Sequence, residues 1–256
     1  MGVNGSQGSG KSTLCAFLKF YSEQQLSLHC VVMSLDDFYL SAAQRDALAK
    51  KVHPLFKTRG VPGTHDVSLL EYTLRSLTEE THVAIPQFDK ALDNPAPTEE
   101  WPMVKAPADI IIVEGWCWGT PPQSVASLQQ PCNALEAKHD SDGTWRRYSH
   151  AAMVRDYQPL YAMMDYWVML QAPSFDCIAR WRMEQEHKLR TKLAAGNRAS
   201  SQVMTDAQIE QFIMYFQRLT EHSLATLPDW ANCVYTLDHE RHIIGARADF
   251  MLKENS

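Results

Sequence analysis

Short, continuous runs of apolar residues alternate along the chain with segments in which apolar residues recur at helical spacing. Three runs, at residues 30–35, 110–113 and 166–170, are rich in β-branched and aromatic residues. Because they are apolar at successive rather than alternate positions, they suit strands that are buried on both faces of a parallel sheet. Weaker runs at 83–85 and 233–237 add two further candidate strands.

Amphipathic helices are predicted between these strands. One set of apolar residues has the i, i+3, i+4, i+7 spacing of a single buried face: Leu14, Phe17, Leu18 and Tyr21. A second set has similar spacing: Ile209, Phe212, Ile213, Phe216 and Leu219. Thr205 followed by Gln208 fits a capping box, so the second helix is predicted to begin there. Strands that alternate with helices predict a doubly wound α/β fold, with a parallel central sheet flanked by helices.

Two stretches without periodicity are predicted to be irregular. Residues 93–107 contain four prolines and are expected to form a surface loop. Residues 119–143 begin with G-T-P-P and end with D-S-D-G. Neither stretch has the composition of an interdomain linker, so residues 1–256 are predicted to form one domain.

The composition narrows the possible functions. Lys and Arg number 24 against 30 Asp and Glu, and the net charge of −6 argues against binding to nucleic acid or to an anionic membrane. No apolar run approaches the ~18 residues of a membrane span, and the first residues lack the pattern of a signal peptide. The six cysteines are widely spaced without a C-x-x-C pair, which favours reduced thiols in a cytoplasmic protein.

The most specific local motif lies near the N-terminus. Residues 5–12 read G-S-Q-G-S-G-K-S and satisfy the phosphate-binding pattern G-x-x-x-x-G-K-S/T in full. Its glycines let the backbone N–H groups turn toward phosphate oxygens, while Lys11 can reach the β- and γ-phosphates and Ser12 can bind Mg²⁺. ATP and Mg²⁺ are therefore expected, bound by Gly5, Ser6, Gln7, Gly8, Ser9, Gly10, Lys11, Ser12 and Thr13. Only four residues precede Gly5, so either the strand before the loop is short or the chain begins inside a longer protein.

Acidic residues follow two of the predicted strands. Asp36 and Asp37 come after the first run, and Glu114 comes after the second. Because ligands of open α/β sheets bind at the carboxyl ends of the strands, Asp36 and Glu114 are expected to meet at the γ-phosphate. Asp36 is predicted to be the general base on an acceptor hydroxyl, and Glu114 to hold Mg²⁺ directly or through water. Alternatively, such acids cap the helices that follow.

Five motifs, in this order, resemble those of the P-loop small-molecule kinases, which include uridine kinase, phosphoribulokinase and bacterial pantothenate kinase. They are G-S-Q-G-S-G-K-S at 5–12, S-L-D-D-F-Y at 34–39, R-G-V-P-G-T-H-D at 59–66, F-D-K at 88–90 and E-G-W at 114–116. The last three together are most similar to the D-glycerate 3-kinase branch of plants and fungi and its bacterial relatives. The resemblance continues through W-R-M-E-Q-E at 181–186 and M-T-D at 204–206, so it covers nearly the whole chain.

The resemblance implies a three-layer P-loop NTPase fold and ATP- and Mg²⁺-dependent phosphorylation of a small hydroxyl acceptor, with D-glycerate to 3-phosphoglycerate as the leading case. It places the catalytic base on Asp36 and the acid of the E-G motif on Glu114. It also implies a helical lid, at about residues 174–203, whose arginines close over the phosphates. Arg182 is the first candidate to act in catalysis beside Lys11, and Arg180 is the second; residues 196–201 are the stretch expected to let the lid move.

Polar residues of these motifs are predicted to surround the acceptor: Asp37, Tyr39, Arg59, His65, Asp66 and Lys90. Arg59 is best suited to an anionic acceptor because a guanidinium can bind a carboxylate through two parallel hydrogen bonds. Three of the residues also fit structural roles. His65 could stabilise the turn, and Lys90 could be a solvated surface residue. Tyr39, like Trp116, could form a wall of the pocket or belong to the core.

Two other functions fit the same motifs. One is phosphorylation of a different small acceptor, such as pantothenate, a nucleoside or a sugar phosphate. The other is a P-loop switch that hydrolyses nucleotide slowly and signals by a change of shape, although the guanine signature N-K-x-D is missing from the sequence. A small-molecule acceptor is the expected partner in both kinase interpretations.

Overall fold

The computed structural model of the protein describes residues 1–195 and 204–249. Its strands are β1 (Gly2–Gly5), β2 (Cys30–Ser34), β3 (His82–Ala84), β4 (Phe88–Asp89), β5 (Asn94–Pro95), β6 (Met103–Lys105), β7 (Ile110–Gly115), β8 (Trp167–Gln171), β9 (Cys233–Leu237) and β10 (Ile243–Ala248). Its α-helices are α1 (Lys11–Gln25), α2 (Ala42–Lys51), α3 (Val67–Glu79), α4 (Ala134–His139), α5 (Thr144–Ala152), α6 (Gln158–Tyr161), α7 (Phe175–Ala195) and α8 (Asp206–Thr226). Short 3₁₀ helices and one π-helical turn, Met153–Tyr157, are the remaining helical elements of the described residues.

The main sheet has the strand order β10-β9-β8-β1-β7-β2. Strands β2, β7, β1, β8 and β9 run parallel, whereas β10 pairs antiparallel with β9. The predicted α/β class is confirmed, but the sheet is mixed rather than wholly parallel. The reason is local: a tight turn closed by a 2.9 Å hydrogen bond from the Asp238 N–H to the His242 carbonyl joins β9 to β10, and such a turn can join only antiparallel neighbours.

Helices cover both faces of this sheet. On one face, Cys15 and the half-buried Leu14 and Leu18 of α1 pack against a cluster that includes Val3 and Ile112. On the other face, α3 and α8 bury their apolar residues against β2, β7 and β8. The sheet and its two helical layers form the three-layer α/β arrangement.

The two predicted amphipathic helices differ in outcome. In α8 the capping box of Thr205 and Gln208 is confirmed, and the predicted apolar face is buried apart from the half-buried Phe212. In α1 the predicted face is wrong at two positions, because Phe17 and Tyr21 are 59% and 46% exposed. These two rings stack on each other at 6.2 Å on the outer side of the helix, while Cys15 is fully buried beneath it.

Three other expectations are corrected. The 83–85 run does form a strand, β3, but this strand pairs with β6 in a separate two-stranded sheet because residues 103–105 return antiparallel beside it. The predicted loop at 93–107 therefore contains β5 and β6. The 119–143 stretch contains α4, which begins where the Asn133 side chain accepts a 3.0 Å hydrogen bond from the Glu136 N–H.

The sheet order brings the functional motifs together. Strand β7 lies between β1 and β2, and the register places Asn4 beside Gly115 and Ser34 beside Glu114. The phosphate-binding loop and the two acidic segments therefore leave the sheet from adjacent strands at its carboxyl edge. Within the described part of the chain, no helix has both the length and the apolar character needed to cross a bilayer.

Candidate active site

The phosphate-binding loop connects the short buried strand β1 to α1. Gly8 and Gly10 have φ values of 78° and 93°, in the left-handed region that favours glycine. Gly10 is the N-cap residue of α1, and its carbonyl accepts a 3.0 Å hydrogen bond from the Leu14 N–H. A Cβ atom at Gly8 would lie 3.1 Å from the Cβ atom of Trp181, so the loop also packs closely against α7. The curled backbone and the positive end of a long helix together favour a bound anion.

A cleft of about 550 Å³ opens in front of this loop. Predicted site residues that line it are Gln7, Gly8, Gly10, Lys11, Ser12, Thr13, Asp36, Asp37, Tyr39, Arg59, Lys90, Glu114 and Arg182. These residues come from six separate segments of the chain, so the fold brings together most of the predicted set. Predicted residues outside the lining are Gly5, Ser6, Ser9, His65, Asp66 and Arg180.

Ser12, Lys11 and Glu114 meet at the base of the cleft. The Ser12 hydroxyl donates a 2.7 Å hydrogen bond to Oε1 of Glu114, and the Lys11 ammonium lies 3.7 Å from Oε2. The Glu114 side chain is only 6% exposed. A buried carboxylate needs a positive partner, and the lysine of the phosphate loop provides one. The arrangement places one carboxylate and one hydroxyl oxygen side by side next to the phosphate-binding backbone.

Asp36 lies in the short 3₁₀ helix Leu35–Phe38 that follows β2, and its carboxylate is held from two sides. The Lys90 ammonium lies 2.7 Å from Oδ2, and the Tyr39 hydroxyl donates a 3.0 Å hydrogen bond to Oδ1. Burial alone would raise the pKa of Asp36, but the charges of Lys90 and Lys11 outweigh burial and lower the pKa below its ordinary value. Asp36 is therefore ionised at neutral pH and can accept a proton.

Asp37 points to a different neighbour than Asp36 does. Its Oδ1 atom accepts a 3.2 Å hydrogen bond from the Phe88 N–H, at the start of β4. Burial raises the pKa of Asp37 to about 6, although this hydrogen bond favours the ionised form. Asp37 therefore joins the end of β2 to the strand that leads to Lys90.

Arg59 lines the same cleft as the phosphate loop. Its guanidinium forms an ion pair with Asp93, a residue that the sequence analysis did not select. It also lies over the Phe88 ring, with Cζ 5.5 Å from the ring centroid. The cation that was predicted to meet an anionic acceptor thus has an intramolecular carboxylate partner as well.

His65 and Asp66 lie behind the wall of the cleft rather than in its surface. The His65 ring stacks on Tyr39 at 4.4 Å, and its Nδ1 atom is 2.6 Å from the Tyr157 hydroxyl. Burial lowers the pKa of His65 to about 3, so the ring is neutral. Asp66 caps α3, where its Oδ1 atom accepts a 2.9 Å hydrogen bond from the Leu69 N–H. His65 therefore packs behind the lining residue Tyr39, and Asp66 has the role of a helix cap.

The two arginines of the predicted lid point in different directions. Arg182 lines the cleft and forms a 3.0 Å ion pair with Glu186, one turn further along α7. Arg180 turns away, and its Nη2 atom donates to the His239 carbonyl at 3.4 Å. Residues two positions apart on a helix diverge, so only one of the pair can face the cleft. Residues 196–201 and the end of the predicted lid, 201–203, lie outside the described residues.

Comparison with known protein families decides between the classes of P-loop protein. The model of the phosphoribulokinase / uridine kinase family matches residues 1–130, just over half of the chain. The chain belongs to this family. The matched part includes β1, the phosphate loop, Asp36, Asp37, Arg59, Lys90 and Glu114.

This kinase has relatives in fungi and plants. Over its full length it is 28% identical to the uncharacterized kinase mug58 of Schizosaccharomyces pombe, of which the match covers 88%. It is 27% identical to the chloroplastic D-glycerate 3-kinase of Arabidopsis thaliana, over 89% of this chain but 48% of that protein. The solved structure of a D-glycerate 3-kinase from Cryptococcus neoformans superposes with a TM-score of 0.77 and 27% identity, over 96% of this chain and 88% of that one.

The base of the cleft fits a magnesium ion. Oε2 of Glu114 is buried and accepts no hydrogen bond from any described residue, although the Ser12 hydroxyl lies against Oε1. Carboxylate and hydroxyl oxygens are the ligands that Mg²⁺ prefers, and this ion keeps several waters and binds through substrate phosphates rather than in an all-protein cage. Ser12 and Glu114 are the residues of this kinase that would hold Mg²⁺.

Several lining residues were not predicted as part of the site: Ser34, Gln185, Phe212 and Phe216. Gln185 follows Arg182 by three positions on α7, so helical spacing could have identified it. Phe212 and Phe216 lie on the apolar face of α8, and the same spacing that predicts a buried face cannot tell a core contact from a cleft wall. Trp116, for which both a pocket wall and a core position were considered, lines the cleft, and its indole N–H donates a 3.2 Å hydrogen bond to the Gly60 carbonyl.

Proposed function

We propose that this protein is a cytoplasmic ATP- and Mg²⁺-dependent kinase that transfers the γ-phosphoryl group to a hydroxyl of D-glycerate and forms 3-phosphoglycerate. The observation that carries the proposal is the position of Asp36. Its ionised carboxylate lines the same cleft as the phosphate loop, and two cations, Lys90 and Arg59, line that cleft as well. The D-glycerate 3-kinases among its relatives support the choice of acceptor.

The donor side of the cleft performs positioning and charge stabilisation. The backbone of residues 5–10 and the N-terminus of α1 bind the phosphates, and Lys11 offers a compact positive charge to the terminal oxygens. Mg²⁺ bound by Ser12 and Glu114 would neutralise charge on the phosphates. Arg182 approaches from α7 and stabilises charge on the transferred group, where exclusion of water strengthens the interaction.

The acceptor side performs proton transfer and recognition. Asp36 accepts the proton of the acceptor hydroxyl while the hydroxyl oxygen attacks the γ-phosphorus of ATP and ADP leaves. Tyr39 and Lys90 hold the Asp36 carboxylate in place. Glycerate carries a carboxylate next to its hydroxyls. Lys90 and Arg59 are the cations that line the cleft on this side, and they match that charge.

A coupled ADP-release assay tests the proposal, with D-glycerate, L-glycerate, glycerol, pantothenate, uridine and ribulose 5-phosphate as acceptors. We expect D-glycerate to give the highest kcat/KM, and we expect phosphorus NMR to place the phosphate on the 3-hydroxyl. Preference for another acceptor would overturn the glycerate assignment and leave a kinase of different specificity. ADP release that no acceptor accelerates, and that disappears in Lys11→Ala, would instead favour the nucleotide-hydrolysing switch.

A further inference from the structure

Asp93 bridges two arginines at the acceptor side of the cleft. Oδ1 of Asp93 contacts Nη1 of Arg59, and its Oδ2 lies 2.7 Å from Nη2 of Arg45. Arg59 lines the cleft, whereas Arg45 lies on α2 and is only 2% exposed. One carboxylate therefore connects a buried cation to the cation that faces the acceptor.

Arg45 is held rigidly. Its Nε atom donates to the Leu40 carbonyl at 3.1 Å, Nη1 donates to the Lys57 carbonyl at 2.6 Å, and Nη2 donates to the Asp93 carbonyl at 3.0 Å. All three nitrogens of the guanidinium therefore have fixed partners. A buried guanidinium is costly without a nearby negative charge, and the Asp93 carboxylate supplies that charge. Asp93 is thus held at both its main chain and its side chain.

Asp93 also belongs to the segment that carries Lys90. Strands β4 and β5 pair Phe88 with Pro95 and Asp89 with Asn94, and we call this segment the 88–95 hairpin. The hairpin is attached to α2 at a second point, because the Asn94 side chain accepts a 3.0 Å hydrogen bond from the Ala42 N–H. These two contacts with α2, together with the hydrogen bond from the Phe88 N–H to Asp37, hold the hairpin that carries Lys90 and Asp93.

We infer that Asp93, fixed by Arg45, is a positioning residue that orients Arg59 to bind an anionic acceptor. The inference rests on the proposed function and extends it to a specific arrangement of charges. An arginine side chain has many rotamers, and ordering it only when the acceptor arrives would weaken binding. Asp93 holds one edge of the guanidinium while Phe88 supports its face. A guanidinium with a fixed plane can present its other donors to the carboxylate of the acceptor.

A competing role for Asp93 would change the affinity for the acceptor in the opposite direction. If Asp93 merely occupied Arg59, it would compete with the carboxylate of the acceptor, and removing its charge would tighten acceptor binding. If Asp93 orients Arg59, the same change weakens binding. The direction of the change in acceptor KM therefore separates the two roles.

The test compares Asp93→Asn with Glu99→Gln, which removes one negative charge from an exposed position in the same region. For Asp93→Asn we expect the KM for D-glycerate to rise about tenfold while the KM for ATP stays within about twofold, because misplacement of a binding group acts on the acceptor alone. Glu99→Gln should leave both constants unchanged. Asp93→Glu, which keeps the charge but moves the carboxylate, should also raise the acceptor KM and serves if Asp93→Asn does not fold.

A double-mutant cycle shows whether Asp93 acts through Arg59. In an Arg59→Ala background, Asp93→Asn should have no further effect on the acceptor KM, since the residue that it orients is gone. A purely structural role would persist in that background and would overturn the inference. So would an unchanged or lower acceptor KM in the single variants.

The test of Asp93 and the test of the proposed function can fail independently of each other. A wild-type enzyme that prefers pantothenate or ribulose 5-phosphate would overturn glycerate as the substrate, and the cycle would then be run with that anionic acceptor. A wild-type enzyme that uses only uncharged acceptors would overturn the inference itself. Turnover of D-glycerate with no effect of Asp93→Asn would leave the function standing and remove Asp93 from its role.

Discussion

The two ends of the cleft are built in different ways. The proposed donor end is formed mainly by one continuous stretch, residues 5–13, whose backbone N–H groups and helix terminus favour a bound phosphate, with Glu114 and Arg182 in the same cleft. The proposed acceptor end is formed by side chains from three distant segments: Arg59, Lys90 and Asp36. These side chains are ordered by ion pairs with Asp93 and with each other.

This difference indicates which substitutions each end of the cleft can tolerate. A backbone cradle depends on glycine conformations and on the strand–loop–helix connection, so few substitutions preserve it. An acceptor surface made of paired side chains can be altered one charge at a time. Substitutions at the donor end should therefore affect every acceptor equally, whereas substitutions at the acceptor end should discriminate between acceptors.

The largest effect is expected from Lys11→Ala. Lys11 provides the positive charge between the phosphate loop and Glu114, and its loss should lower kcat by on the order of a thousandfold for every acceptor. Steady-state kinetics across the acceptor panel measure this, with circular dichroism as the control for folding. A loss of activity with one acceptor alone would contradict the expectation that substitutions at the donor end affect every acceptor equally.

Asp36→Asn should lower kcat by on the order of a hundredfold, because the amide cannot accept the proton of the acceptor hydroxyl. The KM for ATP should remain near its wild-type value, since Asp36 is held by Lys90 and Tyr39 on the acceptor side. Single-turnover kinetics at saturating ATP provide the measurement. Normal turnover in this variant would rule out Asp36 as the base.

Arg59→Lys sharpens the comparison within the acceptor end. Lysine keeps the positive charge but loses the planar pair of donors, so the KM for an anionic acceptor should rise about tenfold with little change in kcat. Glycerol, which lacks the carboxylate, should show no such change. An equal effect on both acceptors would mean that Arg59 does not recognise charge.

The smallest effect is expected at Asp37, which joins β2 to the 88–95 hairpin. Burial raises the pKa of Asp37 in the folded protein to about 6, above the 3.8 of an ordinary aspartate, so the folded state holds the proton more tightly than the unfolded chain does. The contribution of Asp37 to the free energy of unfolding should therefore fall as pH rises from about 4 to about 6, and then level off.

Asp37→Asn should reduce that fall by on the order of 1 kcal/mol, a value discounted for the partial exposure of the side chain. Urea unfolding of metal-free protein at pH 4, 5, 6 and 7 measures it, with Glu99→Gln as the matched control. The same pH dependence in Asp37→Asn and wild type would show that Asp37 does not titrate as described.

Much of the fold could be predicted from periodicity and local motifs. The runs at 30–35, 110–113 and 166–170 form the parallel strands β2, β7 and β8 of the main sheet, because parallel strands covered on both faces are apolar throughout. The orientation of β10 was not predictable, since it depends on a tight turn after β9 rather than on hydrophobicity. Phe17 and Tyr21 were misplaced because helical spacing identifies one face of a helix but not whether a neighbour covers it.

The candidate site also contains residues that could be identified from the sequence and residues that could not. Residues 5–13, Asp36 and Glu114 could be found because a contiguous motif and strand ends fix their place in this topology. Arg45 and Asp93 could not be found, because their pairing joins residues 48 positions apart that carry no motif. His65 and Asp66 belong to the same motif as Arg59, but the turn that presents Arg59 to the cleft directs these two into the wall.

The 88–95 hairpin pairs through two residue pairs only and lies apart from the main sheet. An exchange within this segment that keeps Lys90 and Asp93, the partners of Asp36 and Arg45, would leave the β1–α1 connection unchanged. Transplanting the corresponding segment from a related enzyme is thus a route to new acceptor preference in the laboratory. Evolution can change acceptor preference by the same route, because a short segment at the surface tolerates insertion and replacement better than a buried strand does.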